Sequence, residues 1–318
     1  MDSVESVIKK NNIELIQKKE WRDSPTVRSY TDFSKLDLSG IKIDDEVAFS
    51  GKKVVNSKYT DIFASEHDPL LELNRRIQNL NFSVDVNNEE KITFSENESL
   101  IGSMQINMSG NPRLELDLGK YKLACLIISI SCTKDSKCEL HVSSSNSGIT
   151  YLRFKKEIGQ NARLDLVNSH IKDSFLFLSS DCDLKDESQL ESRIYAHSDG
   201  SAHYDCVQNV NHGLGSKSKV IGRGVINGAS SLIFRGMLKI YNERCSGDFS
   251  TKTLNISEGD AFTDSVPMLD ISAKNVIAKH SSAIENIDDD KIFYLESRGF
   301  SKSEGRKLII DSFLNQGY

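Results

Sequence analysis

Long apolar runs are missing from this sequence. No segment approaches the roughly 18–20 apolar residues that a membrane-spanning helix needs, so we predict no membrane partner. The first residues carry acidic groups where a secretory signal would have a basic start, which predicts a cytoplasmic protein. Basic excess is missing too, because 40 Lys and Arg stand against 46 Asp and Glu, a formal charge of −6. Since phosphate binding requires clustered positive charge, this balance argues against a nucleic-acid partner.

Paired metal-ligand motifs are also absent. The six cysteines form no C-x-x-C pair and no Cys/His spacing typical of zinc. In a reducing cytoplasm we expect free thiols that pack as small apolar residues. Cys245 is a candidate reactive thiol, because the neighbouring Arg244 cation would lower its pKa. Cys206 alternates with Tyr204 on one strand face, which predicts core packing.

Proline is scarce, with four in 318 residues, and the texture over residues 81–285 is that of short strands. Runs such as Leu126–Ser131 and Leu238–Tyr241 are rich in aliphatic residues, several with period-two alternation. The same order recurs between them: a Gly, two or three small or polar residues, then a strand. This repetition predicts a mainly β protein, and we favour a parallel β-helix. A jelly roll or a double sandwich is the alternative, because short runs do not reveal strand direction.

Helical patterns flank this region and divide the chain into three predicted parts, residues 1–80, 81–285 and 286–318. The first part contains one amphipathic helix, indicated by Val4, Val7, Ile8, Leu15 and Ile16. A second helix is predicted over Leu70–Ile77, with Asp68-Pro69 as its start signal.

The last part predicts a helical hairpin. Asp288–Asp290 supplies an N-cap for a helix that runs to about Ser297 and ends at Gly299. Ser301–Glu304 is a capping box that opens a second helix. The apolar residues of that helix form one stripe: Ile309, Ile310, Phe313 and Leu314.

The C-terminal half resembles the SufB/SufD family of iron–sulfur cluster assembly scaffolds, and more closely its SufD branch. The residues that carry the resemblance follow one another between Tyr204 and Leu314: Asp205, His212, Ser218, Phe234-Arg-Gly236, Pro267-Met-Leu269-Asp-Ile271, His280 and Ile292-Phe-Tyr-Leu-Glu-Ser-Arg-Gly299. In the first 200 residues, Glu20-Trp21-Arg22 resembles the family's N-terminal aromatic–basic segment.

The resemblance implies a right-handed parallel β-helix between a helical N-terminal region and a C-terminal ATPase-docking hairpin. It implies a non-enzymatic subunit that pairs with a SufB-like scaffold, or with a second copy of itself, and docks a SufC-like ABC ATPase through its last helices. No cofactor is expected to bind stably to this chain alone. An iron–sulfur cluster or iron would reside transiently at the scaffold interface.

His280 matches the histidine that SufD-type proteins place at that interface, where a neutral imidazole could bind iron or a cluster edge. Family members often carry Cys two residues earlier and Gly just after, whereas Ala278 and Ser281 stand here. In the SufB branch, a cysteine is expected at the position that aligns near Lys252, and an acidic residue at the position of Ser281. Neither lysine nor serine can replace these ligands. The resemblance therefore implies that this chain is the helper scaffold and does not ligate the cluster.

The helix over Ile292–Gly299 is the predicted ATPase-docking site. Its residues include Phe293, Tyr294 and Arg298, which are types that dominate interface hot spots. Two other functions stay open: a SufB-like scaffold that itself ligates the cluster, and a polysaccharide-cleaving β-solenoid. The single tryptophan argues against the second, because sugar-binding solenoids usually expose rows of aromatic residues.

Overall fold

The computed structural model describes residues 3–11, 13, 31–45, 47–51, 55–56, 62–63, 68–145, 148–171, 173–256 and 260–315. The helices are α1 (Val4–Lys10), α2 (Pro69–Arg76), α3 (Asp289–Ser297) and α4 (Lys302–Asn315), with a 3-10 turn at Phe33–Lys35. The strands are β1 (Phe49–Gly51), β2 (Val55–Asn56), β3 (Leu80–Val86), β4 (Glu89–Phe94), β5 (Ser99–Met108), β6 (Arg113–Asp117), β7 (Leu123–Cys132), β8 (Lys137–Ser145), β9 (Ile149–Ile158), β10 (Arg163–Ile171), β11 (Phe175–Leu184), β12 (Gln189–Ser198), β13 (His203–His212), β14 (Lys217–Ile226), β15 (Ser231–Ile240), β16 (Ser246–Asn255), β17 (Phe262–Ile271) and β18 (Ile277–Asn286).

From β3 onward, successive strands alternate between two sheets. One sheet has the order β1-β4-β6-β8-β10-β12-β14-β16-β18, and the other has the order β17-β15-β13-β11-β9-β7-β5-β3-β2. All pairs are parallel except β1 with β4 and β2 with β3. The chain is thus a parallel β-solenoid of about 7 turns. This confirms the predicted β-helix architecture over the jelly roll and the sandwich, which are built from antiparallel sheets.

The core lies between the two sheets and is built from every second residue of each strand. In one ladder, for example, Ile130, Lys156 and Cys182 follow one another in register and all are buried. The period-two alternation in the sequence reflects this inward and outward pointing.

Several strands are buried on both faces because the N-terminal segments cover the outside of the second sheet. Phe33 lies among the rings of Tyr151, Phe175 and Phe177 on that outer face. Helix α2 packs beside it, and its N-cap Asp68 accepts hydrogen bonds from the Leu71 amide and the Tyr151 hydroxyl. Double coverage explains the continuous apolar runs in strands such as β7.

The turns stack at one corner through residues with left-handed backbone: Asp135, Asn161, Glu187, Gly215, Arg244 and Asn275. Each of the first four donates its amide to the carbonyl just before the corresponding residue of the next turn, as in Asp135 to Gln160 O at 3.0 Å, whereas the Arg244 amide donates to the carbonyl of Asn275 itself. The repeated glycine-and-polar turns of the sequence therefore mark solenoid corners.

The predicted helices are confirmed where the structure describes them. Helix α1 covers Val4–Lys10, whereas Leu15, Ile16 and the Glu20-Trp21-Arg22 segment lie outside the described residues. Helix α2 is capped by Asp68, and α3 by Asp288. The sequence did not predict the short strands β1 and β2 within the first 80 residues. Among the described residues, no helix has the length and apolar character to cross a membrane.

Candidate functional site at the open end of the solenoid

The solenoid ends at β17 and β18, the last strands of their sheets, and no further described turn covers them. Outward residues such as Ile277, at 75% exposure, and inward residues of β18 are both accessible here. Pro267 lies in β17, which suits an edge strand because proline lacks the amide hydrogen that a central strand needs. This end of the molecule is an open mouth with unpaired strand edges.

His280 lies across this mouth. It follows Val220 and Phe249 in one inward-facing ladder, so its ring continues the row of core side chains. Its Nδ1 is 2.7 Å from the carbonyl oxygen of Pro267 on the opposite sheet. Since a carbonyl only accepts, Nδ1 carries a proton in this hydrogen bond, which leaves Nε2 as the ring nitrogen that could bind a metal. Metal-binding histidines use this arrangement, in which one ring nitrogen donates to a backbone carbonyl.

The surroundings of His280 hold few other ligands. Ala278, Ser281 and Ala283 lie on the same strand, and Lys252 on the neighbouring strand forms an ion pair with Glu285 at 2.7 Å. The described residues contain no group of three or more His, Cys, Asp or Glu side chains able to hold a metal ion. A metal bound here by His280 would need ligands beyond the His, Cys, Asp and Glu side chains of the described residues.

The segment Phe234-Arg235-Gly236 lies one turn below the mouth, and each residue has a separate role. Phe234 fills the core. Arg235 makes two hydrogen bonds of 2.9 Å to the buried Asp205 carboxylate. Gly236 lies in register between Gln208 and Pro267, and a Cβ there would be 1.8 Å from the Gln208 carbonyl oxygen. The motif therefore holds successive turns together beneath the Pro267 carbonyl.

Asp205 also ties the N-terminal segment to the solenoid, because its carboxylate accepts a hydrogen bond of 2.8 Å from Thr31. His203 lies beside it, stacked on Phe175 and bonded through Nδ1 to the Ser231 hydroxyl at 2.6 Å. Burial lowers the pKa of His203. The N-terminal segment covers this histidine, since Thr31 Oγ1 lies 3.3 Å from its Nε2.

His212 and Ser218, two further residues of the resemblance, bond to each other at 2.8 Å. His212 Nδ1 lies 3.1 Å from the Lys239 carbonyl, so Nδ1 donates and Nε2 accepts from Ser218. Burial is the main cause that lowers the pKa of His212. This buried pair links β13 to β14 of the opposite sheet, and its hydrogen bonds to other described residues do not extend to the mouth.

The candidate thiols are buried. Cys206 packs in the core, as predicted, and burial raises its pKa. Cys245 is 2% exposed and donates to the Gly213 carbonyl at 3.1 Å, while Arg244 pairs with Glu187 at 3.0 Å. The Cys245 thiol therefore lacks the solvent exposure that a reactive cysteine requires, and the neighbouring Arg244 is engaged in an ion pair with Glu187.

The C-terminal helices form the second part of the site. Phe313 of α4 and the partly buried apolar residues around it pack on Val225, Leu254 and Ile256 of the solenoid. The predicted capping box is formed, since the Ser301 amide donates to Glu304 at 2.8 Å and the Glu304 amide donates to the Ser301 hydroxyl. The two helices are thus fixed to the side of the last turns.

The outer face of α3 carries exposed aromatic rings. Phe293 is 72% exposed and Tyr294 is 56% exposed, and the Arg298 guanidinium lies 5.0 Å from the Tyr294 ring centroid. Ile292 is buried, so it anchors the helix from inside. Gly299, with φ of 94°, ends α3 in the left-handed conformation. The structure thus leaves the aromatic–basic face of α3 uncovered by the described residues.

The family model described as "SUF system FeS cluster assembly, SufBD core domain" matches residues 114–313, more than half of the chain. The chain belongs to this family. The match runs from the first turns of the solenoid to α4, and so includes both parts of the site. The predicted SufB/SufD resemblance is confirmed.

Curated relatives agree with this SufBD assignment. The chain is 31% identical over 109 residues to the iron-sulfur cluster assembly protein SufD of Bacillus subtilis, covering 34% of this chain and 25% of that protein. An iron-sulfur cluster assembly SufBD family protein of Mycobacterium tuberculosis is 32% identical over 140 residues, 41% of this chain and 32% of the relative. SufD of Escherichia coli is 28% identical over 97 residues, 30% and 23% of the two chains. The matched part thus spans about a quarter to a third of these relatives.

Proposed function

We propose that this chain is a non-enzymatic scaffold subunit of a SUF-type iron–sulfur cluster assembly complex in the cytoplasm. The single observation that carries the proposal is that the chain has two exposed surfaces of different kinds. One is the open end of the solenoid, where His280 bonds across to Pro267 of the opposite sheet, and the other is the uncovered aromatic face of α3. The open end suits the binding of a scaffold partner and its cargo, and the aromatic face of α3 suits the binding of a second, different protein. Membership of the SufBD family supports both assignments.

The proposed scaffold partner binds at the mouth. The edges of β17 and β18 offer unpaired backbone groups, which a SufB-like scaffold or a second copy of this chain would pair with. His280 would then present its Nε2 lone pair to iron or to a cluster edge as cargo, with the remaining ligands coming from the partner. The poor ligand set around His280 supports this helper role.

Two variants test the cargo role of His280. His280→Ala in the full assembly should lower the yield of transferred clusters while leaving the melting temperature and ATPase binding unchanged. Lys279→Ala is the matched control, because Lys279 is exposed on the same strand and pairs with Asp248 instead. An equal yield from both variants would reduce His280 to a structural residue.

The proposed motor partner is a SufC-like ABC ATPase that binds α3 and α4. Large rigid rings beside a guanidinium provide the contact types that dominate interface energies. Co-expression with such an ATPase should give a co-eluting complex, and removal of residues 288–318 should abolish it. Because this truncation uncovers Val225 and Leu254, the circular dichroism spectrum of the truncated chain must first show an intact solenoid. Retained binding by a folded truncation would refute the docking site.

A scaffold that ligates the cluster alone, as proposed for the SufB branch, is the second candidate. Its one favourable observation is the free Nε2 of His280. Anaerobic reconstitution with iron and sulfide separates the two candidates: a stoichiometric cluster on this chain alone supports the second, and its absence beside a cluster on the mixed complex supports the helper role.

A further inference from the structure

A cavity lies between the C-terminal helices and the last turns of the solenoid, and we call it the inner cavity. Its volume is about 420 Å³, which is within the range of cavities that bind other molecules. Voids left by side-chain packing are seldom larger than a water molecule, so the inner cavity is not a packing defect. Six of its lining residues are apolar: Leu254, Ile287, Leu295, Leu308, Ile309 and Phe313.

The inner cavity stays open because the two helices are held at separate places. Phe313 of α4 packs on the solenoid. The two helices approach each other at Gly305, where a Cβ would meet Leu295 at 3.4 Å. Between Gly305 and Phe313 in α4, Leu308 remains 44% exposed although it lines the cavity. The cavity wall thus presents apolar surface to solvent.

The rim of the inner cavity carries no surplus charge. Lys252 pairs with Glu285 at 2.7 Å, and Lys291 pairs with Asp288 at 3.6 Å. These four are the charged residues among those that line the cavity within the described part of the chain. A charged group buried beside them would lack a counter-charge of its own, which is unfavourable. The inner cavity therefore fits an uncharged, apolar occupant.

A second cavity of about 390 Å³, which we call the outer cavity, adjoins the inner one. It is lined by Asp290 and Tyr294, and by three residues that also line the inner cavity, Lys291, Leu295 and Ile309. Tyr294 belongs to the exposed aromatic face of α3, so a protein that covers this face also lies beside the inner cavity. The two cavities and the aromatic face of α3 thus form one continuous surface.

We propose that the inner cavity receives one large uncharged side chain, aromatic or aliphatic, from the ATPase that docks on α3 and α4. This inference rests on the proposed docking function and adds a second element to it: α3 offers rings that project, and the cavity accepts a side chain that enters. Interface residues that dominate the binding energy commonly fill desolvated pockets surrounded by contacts that exclude water. The two lysine–carboxylate pairs would form such a surround.

Filling the inner cavity tests this inference. Ser312 is exposed and lines the cavity, so Ser312→Trp would place a ring where the partner side chain binds. Ser303→Trp is the matched control, because Ser303 is exposed on the same helix and lines neither cavity. Isothermal titration calorimetry measures the affinity of each purified chain for a SufC-like ABC ATPase. We expect Ser312→Trp to bind about tenfold or more weakly than the wild type, and Ser303→Trp to bind as the wild type does.

Leu308→Ser is a second variant, which removes part of the apolar wall without adding bulk and should also weaken binding if Ser312→Trp does not fold. Equal affinity of the wild type and both variants would overturn the inference and leave ATPase docking itself intact. Loss of self-association in Ser312→Trp, with an unchanged affinity for the ATPase, would also overturn it and identify a second copy of this chain as the occupant. Absence of binding by the wild type would overturn the docking function together with the inference.

Discussion

Replacement of Gly236 by alanine should test the stacking of the solenoid most sharply. Gly236 has φ of 154°, and a Cβ there would lie 1.8 Å from the Gln208 carbonyl oxygen, well short of the 3.0 Å that such contacts keep. The neighbouring atom is backbone in β13, so it can move only if two turns separate. Overpacking of this kind costs about 1–3 kcal/mol, and unfavourable backbone conformation adds about 1–3 kcal/mol. We expect Gly236→Ala to lower the free energy of unfolding by about 3 kcal/mol or more.

Gly200→Ala is the matched control for this experiment. Gly200 also has positive φ, at 67°, but no atom lies within 4 Å of a Cβ placed there. Backbone strain alone should cost about 1–2 kcal/mol. Both free energies come from urea unfolding followed by far-ultraviolet circular dichroism, compared through the midpoints at an unchanged slope. Equal losses in the two variants would refute the close approach of β13 and β15.

Three further predictions concern stability. Asp205→Ala should lower the free energy of unfolding by about 3–5 kcal/mol, because Arg235 would lose its partner in a largely buried ion pair. Urea unfolding measures this change, and a loss below about 1 kcal/mol would contradict the prediction. Folding lowers the pKa of His212, so the unfolded chain binds a proton at this histidine more readily than the folded chain does. The melting temperature should therefore be highest at pH values above 6.5, the ordinary pKa of histidine, and should fall as the pH drops below it. His212→Gln should flatten that pH dependence. Gly305→Ala should stabilise α4 by about 1 kcal/mol, since a Cβ there meets Leu295 at an ordinary 3.4 Å; a lower melting temperature would contradict this.

The sequence predicted much of the fold because the solenoid repeats one short unit. Period-two alternation, turn clusters and the capping residues Asp68, Asp288 and Ser301 are local signals, and each matches the structure. The short strands β1 and β2 were missed because they pair antiparallel with strands that lie far along the chain. Strand β1 has three residues and β2 has two, which is too short for a periodic pattern to show in the sequence.

The site was predicted only in its residues and not in its geometry. His280 was singled out, but its bond to Pro267 depends on the distance between two sheets, which no local pattern contains.

The most direct test of the scaffold assignment is the affinity of this chain for a SufC-like ABC ATPase after one substitution on α3. Tyr294→Ala removes an exposed ring beside Arg298, and Tyr241→Ala removes a ring of nearly equal exposure in the residue just after β15. Isothermal titration calorimetry should show binding by the wild type and by Tyr241→Ala, and at least tenfold weaker binding by Tyr294→Ala. Equal affinity for all three proteins, or no binding by the wild type, would contradict the docking role of the C-terminal helices.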